Sequence, residues 1–301
     1  MIREIGDGDS QGRDEFCAAV RQILPILCFE SERIQTFLAE AVKKVLVIDS
    51  GAGRAFVGRS GSVGITFIIP ANWPQRYAII EEGIKELQSW PRQKAIFMTI
   101  DEGIPSHNVY FAGLLPGLGF EMEPKMEMVA DQMILSQIAR PSLPDDFVET
   151  SLTHERSEEA ARVLHEAYLT QHVAWPPERC VEDRASWEDY VSAESAERLS
   201  SWVAVEHQGR IVGVCQGCAR SGAIAISELA VLPSYWRRGL GRYLLVRCMQ
   251  RFRTKHGRAG GSFCLSVGRT NVPAVSLYES FGFRAQKVFT RAIWERREWA
   301  P

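Results

Sequence analysis

Leu232-Pro233-Ser234-Tyr235-Trp236-Arg237-Arg238-Gly239-Leu240-Gly241-Arg242-Tyr243-Leu244-Leu245 reads as a strand end, a glycine-containing turn and the first turn of an amphipathic helix. A helix N-terminus leaves about four backbone N–H groups without intrahelical partners and carries roughly half a positive charge. Gly239 and Gly241 lack the Cβ atoms that would hold an anion away from those donors. The stretch from Arg237 to Arg242 is therefore expected to cradle a phosphate.

Charge around the turn points the same way. Between Leu229 and Tyr278 there are nine basic residues (Arg237, Arg238, Arg242, Arg247, Arg251, Arg253, Lys255, Arg258 and Arg269) and no Asp or Glu, in a chain balanced at 35 basic to 37 acidic residues. Solvated helix faces usually mix both signs to gain i,i+4 pairs, so the segregation suggests a polyanionic ligand. A dinucleotide fold is excluded, because the third glycine of its fingerprint would fall at Leu244 and no strand ending in an acidic ribose ligand comes after the helix. The helix gives way to a short apolar strand, Ser262 to Val267, and then to Asn271-Val272-Pro273-Ala274-Val275-Ser276-Leu277-Tyr278-Glu279-Ser280-Phe281-Gly282-Phe283.

Through Glu228-Leu229-Ala230-Val231-Leu232-Pro233, Arg238-Gly239-Leu240-Gly241-Arg242 and the Asn271 to Phe283 segment, the chain resembles the GNAT superfamily of acetyl-CoA-dependent N-acetyltransferases, from Asp146 to about Trp294. The resemblance implies an α/β (α+β) fold with a mixed, mostly antiparallel central sheet flanked by helices. It also implies that Arg237, Arg238, Gly239, Leu240, Gly241 and Arg242 bind the CoA pyrophosphate, and that Leu229 and Val231 bind the pantetheine arm through main chain. Asn271 would support the cofactor, and Tyr278 would be the general acid that protonates the leaving thiolate. Trp236 departs from the family, which usually has Gln or Arg there. Many relatives carry a general base at positions that map to Ala225 or Ser227, and neither can take a proton from an ammonium. Glu228 is the nearest carboxylate, but strand alternation would put it on the opposite face from Ser227; a water chain is the alternative.

With 301 residues, 46% of them hydrophobic, two domains are expected. No apolar run reaches the roughly 18 residues that span a bilayer, and the polar start Met1 to Asp7 does not read as a signal peptide, so a cytoplasmic location is expected. Seven cysteines without framework spacing fit a reducing compartment. Cys215 and Cys218 form one CxxC without a second pair, so core packing is expected and no metal.

Arg140 to Asp146, with two prolines and two acids, reads as the linker between domains at 1–140 and 146–301. Beyond it the pattern predicts a strand over Phe147 to Leu152, a helix over Glu155 to Leu169, part of another over Ala185 to Ser192, a hairpin about His207-Gln208-Gly209, and a strand over Ala223 to Val231. The first half repeats the second. Phe67 to Trp73 resembles Ala230 to Trp236, and Asn108 and Asn271, Leu114 and Leu277, and Gly119-Phe120 and Gly282-Phe283 all lie 163 residues apart. In that register Arg76 replaces Gly239, Leu115 replaces Tyr278, Pro74 replaces Arg237, and Glu81 and Glu82 add acid to the helix. The first copy is thus expected to be a degenerate GNAT-like domain, with a structural role or one in shaping the acceptor pocket.

The resemblance implies an acceptor pocket lined by the segment from the first helix through the second, which here contains His165, Tyr168, Gln171, His172, Trp175, Trp187 and Tyr190. His172 and Trp175, in a loop, are the expected substrate contacts. The leading reading is transfer of an acetyl or acyl group from acetyl-CoA to a small-molecule primary amine by direct attack. The alternatives are a non-catalytic acyl-CoA-binding regulator, an RNA-binding module, or a protein- or RNA-directed acetyltransferase. RNA is disfavoured by the slightly acidic chain and the lack of interleaved aromatics in the basic stretch.

Overall fold

The computed structural model describes residues 2–5, 9–12, 14–16, 18–19, 45–60, 65–70, 75–89, 95–101, 105–131, 133–138, 141–171, 184–220, 223–256 and 261–295. In chain order the first half holds β1 (Ile2–Glu4), β2 (Val45–Ser50), β3 (Gly53–Ser60), β4 (Ile65–Pro70), α1 (Arg76–Ser89), β5 (Ala95–Asp101), α2 (Pro105–Gly117) and β6 (Glu121–Asp131). The second half holds β7 (Phe147–Ser151), α3 (Ser157–Gln171), α4 (Arg184–Ser192), β8 (Val203–His207), β9 (Arg210–Arg220), β10 (Ala223–Val231), α5 (Leu240–His256), β11 (Ser262–Gly268), α6 (Val272–Ser280) and β12 (Arg284–Glu295). The run of three strands, helix, strand, helix, strand found after β1 in the first half recurs after α4 in the second. The helix-to-strand corners match in detail. Gly119 and Gly282 are left-handed at φ +81° and +76°, and the amides of Phe120 and Phe283 reach back to the carbonyls of Leu115 and Tyr278 at 3.0 and 3.2 Å. Only a residue without Cβ enters that cap cheaply, so both copies keep glycine.

The chain packs as two compact units, residues 1–123 with 289–301, and residues 124–288. The division follows the pairing of the terminal strands. Residues 125–131 of β6 pair antiparallel with β11 inside the second unit, while residues 289–295 of β12 pair antiparallel with β5 inside the first. In the first unit β1-β2-β3-β4 form an antiparallel sheet. Against it Ile79, Ile80, Ile84 and Leu87 of α1 join Phe111 and Leu115 of α2 in one core.

In the second unit the strand order is β6-β11-β10-β9-β8-β7, parallel only between β10 and β11. The amphipathic spacing of α3 buries Ala160, Ala161, Val163, Leu164 and Ala167 completely. On the other face α5 packs so closely on β9 that a Cβ at Gly217 would come within 2.7 Å of the Phe252 ring.

The basic helix α5 is not all poised for a ligand. Glu149 of β7 accepts hydrogen bonds from Arg247 Nε at 2.6 Å and Arg251 Nη2 at 2.8 Å, and from the Tyr243 hydroxyl. Two of the arginines of the acid-free run are therefore answered by a carboxylate from another element, which weakens both the polyanion and the RNA reading of that run. Burial would raise the Glu149 carboxyl, but Arg247, Tyr243 and Arg251 outweigh it and hold its pKa at about 2. Because the folded pKa lies below the unfolded one, the stabilisation is present above about pH 4.5 and is lost as pH falls toward 2. Glu149→Gln is expected to cost about 2 kcal/mol at neutral pH. Urea titrations should show the gap between the two proteins closing as pH is lowered through that window.

Candidate functional site

The site begins where two strands part. β10 and β11 pair from Ala223 with Ser262 to Ile226 with Leu265, whereas β10 stays paired with β9 as far as Val231. Leu232 donates its N–H to the Val212 carbonyl at 2.9 Å. In an antiparallel ladder hydrogen-bonded pairs alternate, so the backbone groups of Glu228 and Ala230 also point to β9. Those of Leu229 and Val231 then point the other way, into the gap left by β11. The gap is a row of main-chain donors and acceptors suited to an extended amide-bearing chain. One place in it is taken, since the Trp236 indole N–H bonds the Val231 carbonyl at 2.7 Å.

Beyond Val231 the chain makes a short turn over Pro233–Tyr235 and enters α5 at Leu240, with no acidic residue in the helix's first turn. Arg237 and Gly239 both sit in the left-handed region, at φ +64° and +81°. A Cβ at Gly239 would meet no other residue within 4 Å among the described residues. The amides at the start of α5 thus face open space beside three exposed arginines, Arg237, Arg238 and Arg242. Two of these are steered by aromatic rings: Arg242 lies 4.6 Å from the Phe281 centroid and Arg238 5.3 Å from that of Tyr235.

At Gly241 an added Cβ would sit 3.5 Å from Leu277, so the start of α5 abuts α6 one residue before Tyr278. Tyr278 is buried at 8% exposure and its ring lies 5.9 Å from that of Phe283. Its hydroxyl has no hydrogen-bond partner among the described residues. Burial, and next the neighbouring Cys215 and Glu228, push its pKa well above the ordinary tyrosine value. Asn271 is the N-cap of α6, its side-chain oxygen accepting from the Ala274 amide at 3.2 Å. That is a local structural task.

The position of Glu228 corrects the expected alternation. The β9 register shifts between Ile226 and Glu228, so Ser227 is the extra residue of a β-bulge. Glu228 stands opposite Gln216, and the Ser227 hydroxyl lies 3.3 Å from Cys218 Sγ. Gln216 and Cys218 share one face of β9, so the bulge turns Ser227 and Glu228 to the same side, that of α3 and α4. There Tyr168 donates to Glu228 Oε2 at 2.7 Å. The Tyr168 ring stacks on Trp187 at 5.4 Å and 10°, and Trp187 meets Tyr190 edge-on. Tyr190 donates to Gln216 Oε1 at 2.9 Å, and Gln216 donates to the buried Glu194 at 3.0 Å. Nothing in the sequence pattern announced this chain of Tyr190, Gln216 and Glu194. Burial, then Glu228 and Glu194, drive the Tyr190 pKa far up.

His172 and Trp175 lie outside the described residues, as do Pro74 and Arg258. Cys215 and Cys218, three apart on a strand, face opposite sides, with Cys215 fully buried. Among the described residues no cluster of metal-ligating side chains occurs, and no helix is long and apolar enough to cross a membrane.

The matching place in the first unit is filled with side chains. Arg76 lies 4.5 Å from the Tyr77 centroid, Tyr77 stacks on Tyr110 at 4.3 Å, and Tyr110 donates to Glu81 at 3.1 Å. Leu115, the counterpart of Tyr278, is completely buried.

Residues 161–283 match the model of the Acetyltransferase (GNAT) family. Among curated proteins no match is found. Among solved structures the chain is similar to a GCN5-related N-acetyltransferase from Sphaerobacter thermophilus, with 15% identity, a TM-score of 0.60 and coverage of 100% of this chain and 96% of the other. It is equally similar to a tandem GNAT protein from the clavulanic acid biosynthesis pathway, with 11% identity, a TM-score of 0.60 and coverage of 100% and 99%. A GCN5-related N-acetyltransferase from Kribbella flavida matches at 14% identity and a TM-score of 0.53, covering 90% of this chain and 97% of that one. At these identities the structural likeness speaks for the fold, mixed α/β in tandem.

Proposed function

We propose, from the match of residues 161–283 to the GNAT acetyltransferase family, that the chain transfers an acetyl group from acetyl-CoA to a primary amine of a small molecule, using the second unit alone. The observation that carries this reading is the open edge of β10 running directly into the left-handed turn and free amides of α5, with Tyr278 beside that start. The pantetheine amides pair with the main chain of Leu229 and Val231, and the pyrophosphate lies on the amides from Arg237 to Arg242. Pairing along the edge brings the thioester back from the turn toward the point where β10 and β11 part, near Glu228, where positioning does most of the work.

The amine arrives as an ammonium, and Glu228 takes one proton from it. The neutral nitrogen forms a bond to the thioester carbon, and the oxyanion that develops is stabilised by strand amides. As the intermediate collapses the C–S bond breaks, and Tyr278 gives its proton to the thiolate. The second proton of the nitrogen leaves to solvent, giving the amide and free CoA. The bulge favours turnover over binding alone, because it sets a carboxylate on the acceptor face where strict alternation would set none.

Mass spectrometry of the protein with acetyl-CoA and a pooled amine library tests the reaction, with an acetylated amine as the expected product and none as the result that overturns it. Calorimetry on the intact chain is expected to give about one acetyl-CoA site per monomer, given the side chains that fill the first unit's counterpart. Two equivalent sites would overturn the degenerate first copy.

A further inference from the structure

We propose that Tyr168 is the positioning residue of the acceptor site, its hydroxyl holding the Glu228 carboxylate in place and ionised for the incoming ammonium; this rests on the reading of Glu228 as the base. The geometry carries it. Tyr168 Oη lies 2.7 Å from Glu228 Oε2, within the range of a charge-assisted O–H···O⁻ hydrogen bond. The donor is itself held: its ring stacks on Trp187 at 5.4 Å, and Trp187 leans edge-on against Tyr190 at 5.8 Å. Tyr190 in turn is pinned through Gln216 to Glu194, which Arg198 pairs at 2.8 Å. Tyr168 is therefore oriented by contacts besides Glu228, and it presents a fixed donor to the carboxylate next to the bulged residue.

The chemistry of the donor suits the task. An arginine or lysine partner would neutralise the carboxylate and compete with the ammonium for it. A tyrosine hydroxyl orients one oxygen and stabilises the ionised form while leaving the negative charge in place. Among the described residues, Tyr168 on α3 bonds Glu228 and Tyr190 on α4 feels its charge, as do Tyr278 on α6 and Cys215 on β9, the last from the opposite face of the sheet, with Glu194 and Arg198 beyond Gln216. Burial raises the pKa of Tyr190, Cys215 and Tyr278, so these three stay neutral while a carboxylate titrates.

The titration arm of the test needs no acceptor. Protein labelled with ¹³C at the glutamate side-chain carboxyl is titrated by NMR as wild type, Tyr168→Phe and Glu228→Gln, and the resonance missing from the last is that of Glu228. Removing a hydrogen bond to the charged form raises a carboxyl pKa, so the Glu228 midpoint in Tyr168→Phe is expected to rise by about one pH unit. Acetyl-CoA affinity by calorimetry should stay within about twofold, because Tyr168 lies on the acceptor face. With an amine acceptor in hand, the acid limb of kcat/KM against pH should move by the same amount in the same direction. An unmoved midpoint together with lost activity in Glu228→Gln overturns the role of Tyr168 alone. Wild-type turnover in Glu228→Gln overturns the base reading and the role of Tyr168 with it.

Discussion

Gly239→Glu is expected to weaken acetyl-CoA binding by about 100-fold or more, roughly 2.7 kcal/mol, while the fold survives. Two features of the turn set the sign. The backbone at Gly239 is left-handed at φ +81°, a conformation in which any other side chain is strained by about 1 kcal/mol or so, a loss a domain of this size tolerates. The space around the missing Cβ is open for 4 Å among the described residues, so the new side chain meets no core atom. It extends instead into the region the pyrophosphate would occupy, and puts a negative charge at a helix N-terminus, where it is favourable for the helix and repels the ligand. Calorimetry with acetyl-CoA reads the loss, and far-UV circular dichroism checks the fold. Gly239→Ala separates strain from charge, since it adds the first without the second and should lose markedly less. Unchanged affinity in Gly239→Glu would remove the cradle as the binding site.

The elements legible in the sequence are those whose pattern is local. The periodic apolar positions of α3, the strand over Ala223 to Val231 and the glycine corners at Gly119 and Gly282 each depend on residues within a few positions of one another. The repeat was legible for the same reason. β6 begins at Glu121 and β12 at Arg284, at the same 163-residue spacing as the landmarks. What the sequence does not carry is which strand accepts which neighbour. The placement of β6 beside β11 and of β12 beside β5 depends on pairing partners more than 100 residues away in sequence, such as Asp131 with Ser262.

The candidate site divides along the same line. Its phosphate cradle rests on glycines and arginines adjacent in sequence and was readable. The place of Glu228 was not, because period-two alternation assumes an unbroken ladder, and one extra residue at Ser227 reverses the face of everything after it. The partner of Arg247 and Arg251 was equally hidden: Glu149 stands about 100 positions earlier, outside any window of charge counting. The use of Trp236 could have been suspected. A tryptophan in a position the family usually gives to Gln or Arg retains one N–H donor, and that donor is what reaches Val231.

Tyr278→Phe is expected to lower turnover by about 10²- to 10⁴-fold with acetyl-CoA affinity nearly unchanged. The ring packs beside Phe283 and is almost fully buried, and phenylalanine preserves both features. Only the hydroxyl is lost, and in the absence of ligand it bonds no described residue, so its removal leaves no buried partner unsatisfied and stability should hardly change. Its raised pKa matters to the assignment. Burial beside Cys215 and Glu228 keeps the proton on oxygen throughout the working pH range, so the group is always in the acid form when charge develops on sulfur. An aromatic that merely filled the core would behave differently, since the phenylalanine variant would then turn over at close to the wild-type rate. Steady-state kinetics with an acetylated amine as product decide the matter. A rate within a few-fold of wild type would mean that the thiolate leaves unaided or takes its proton from water, and Tyr278 would lose its role.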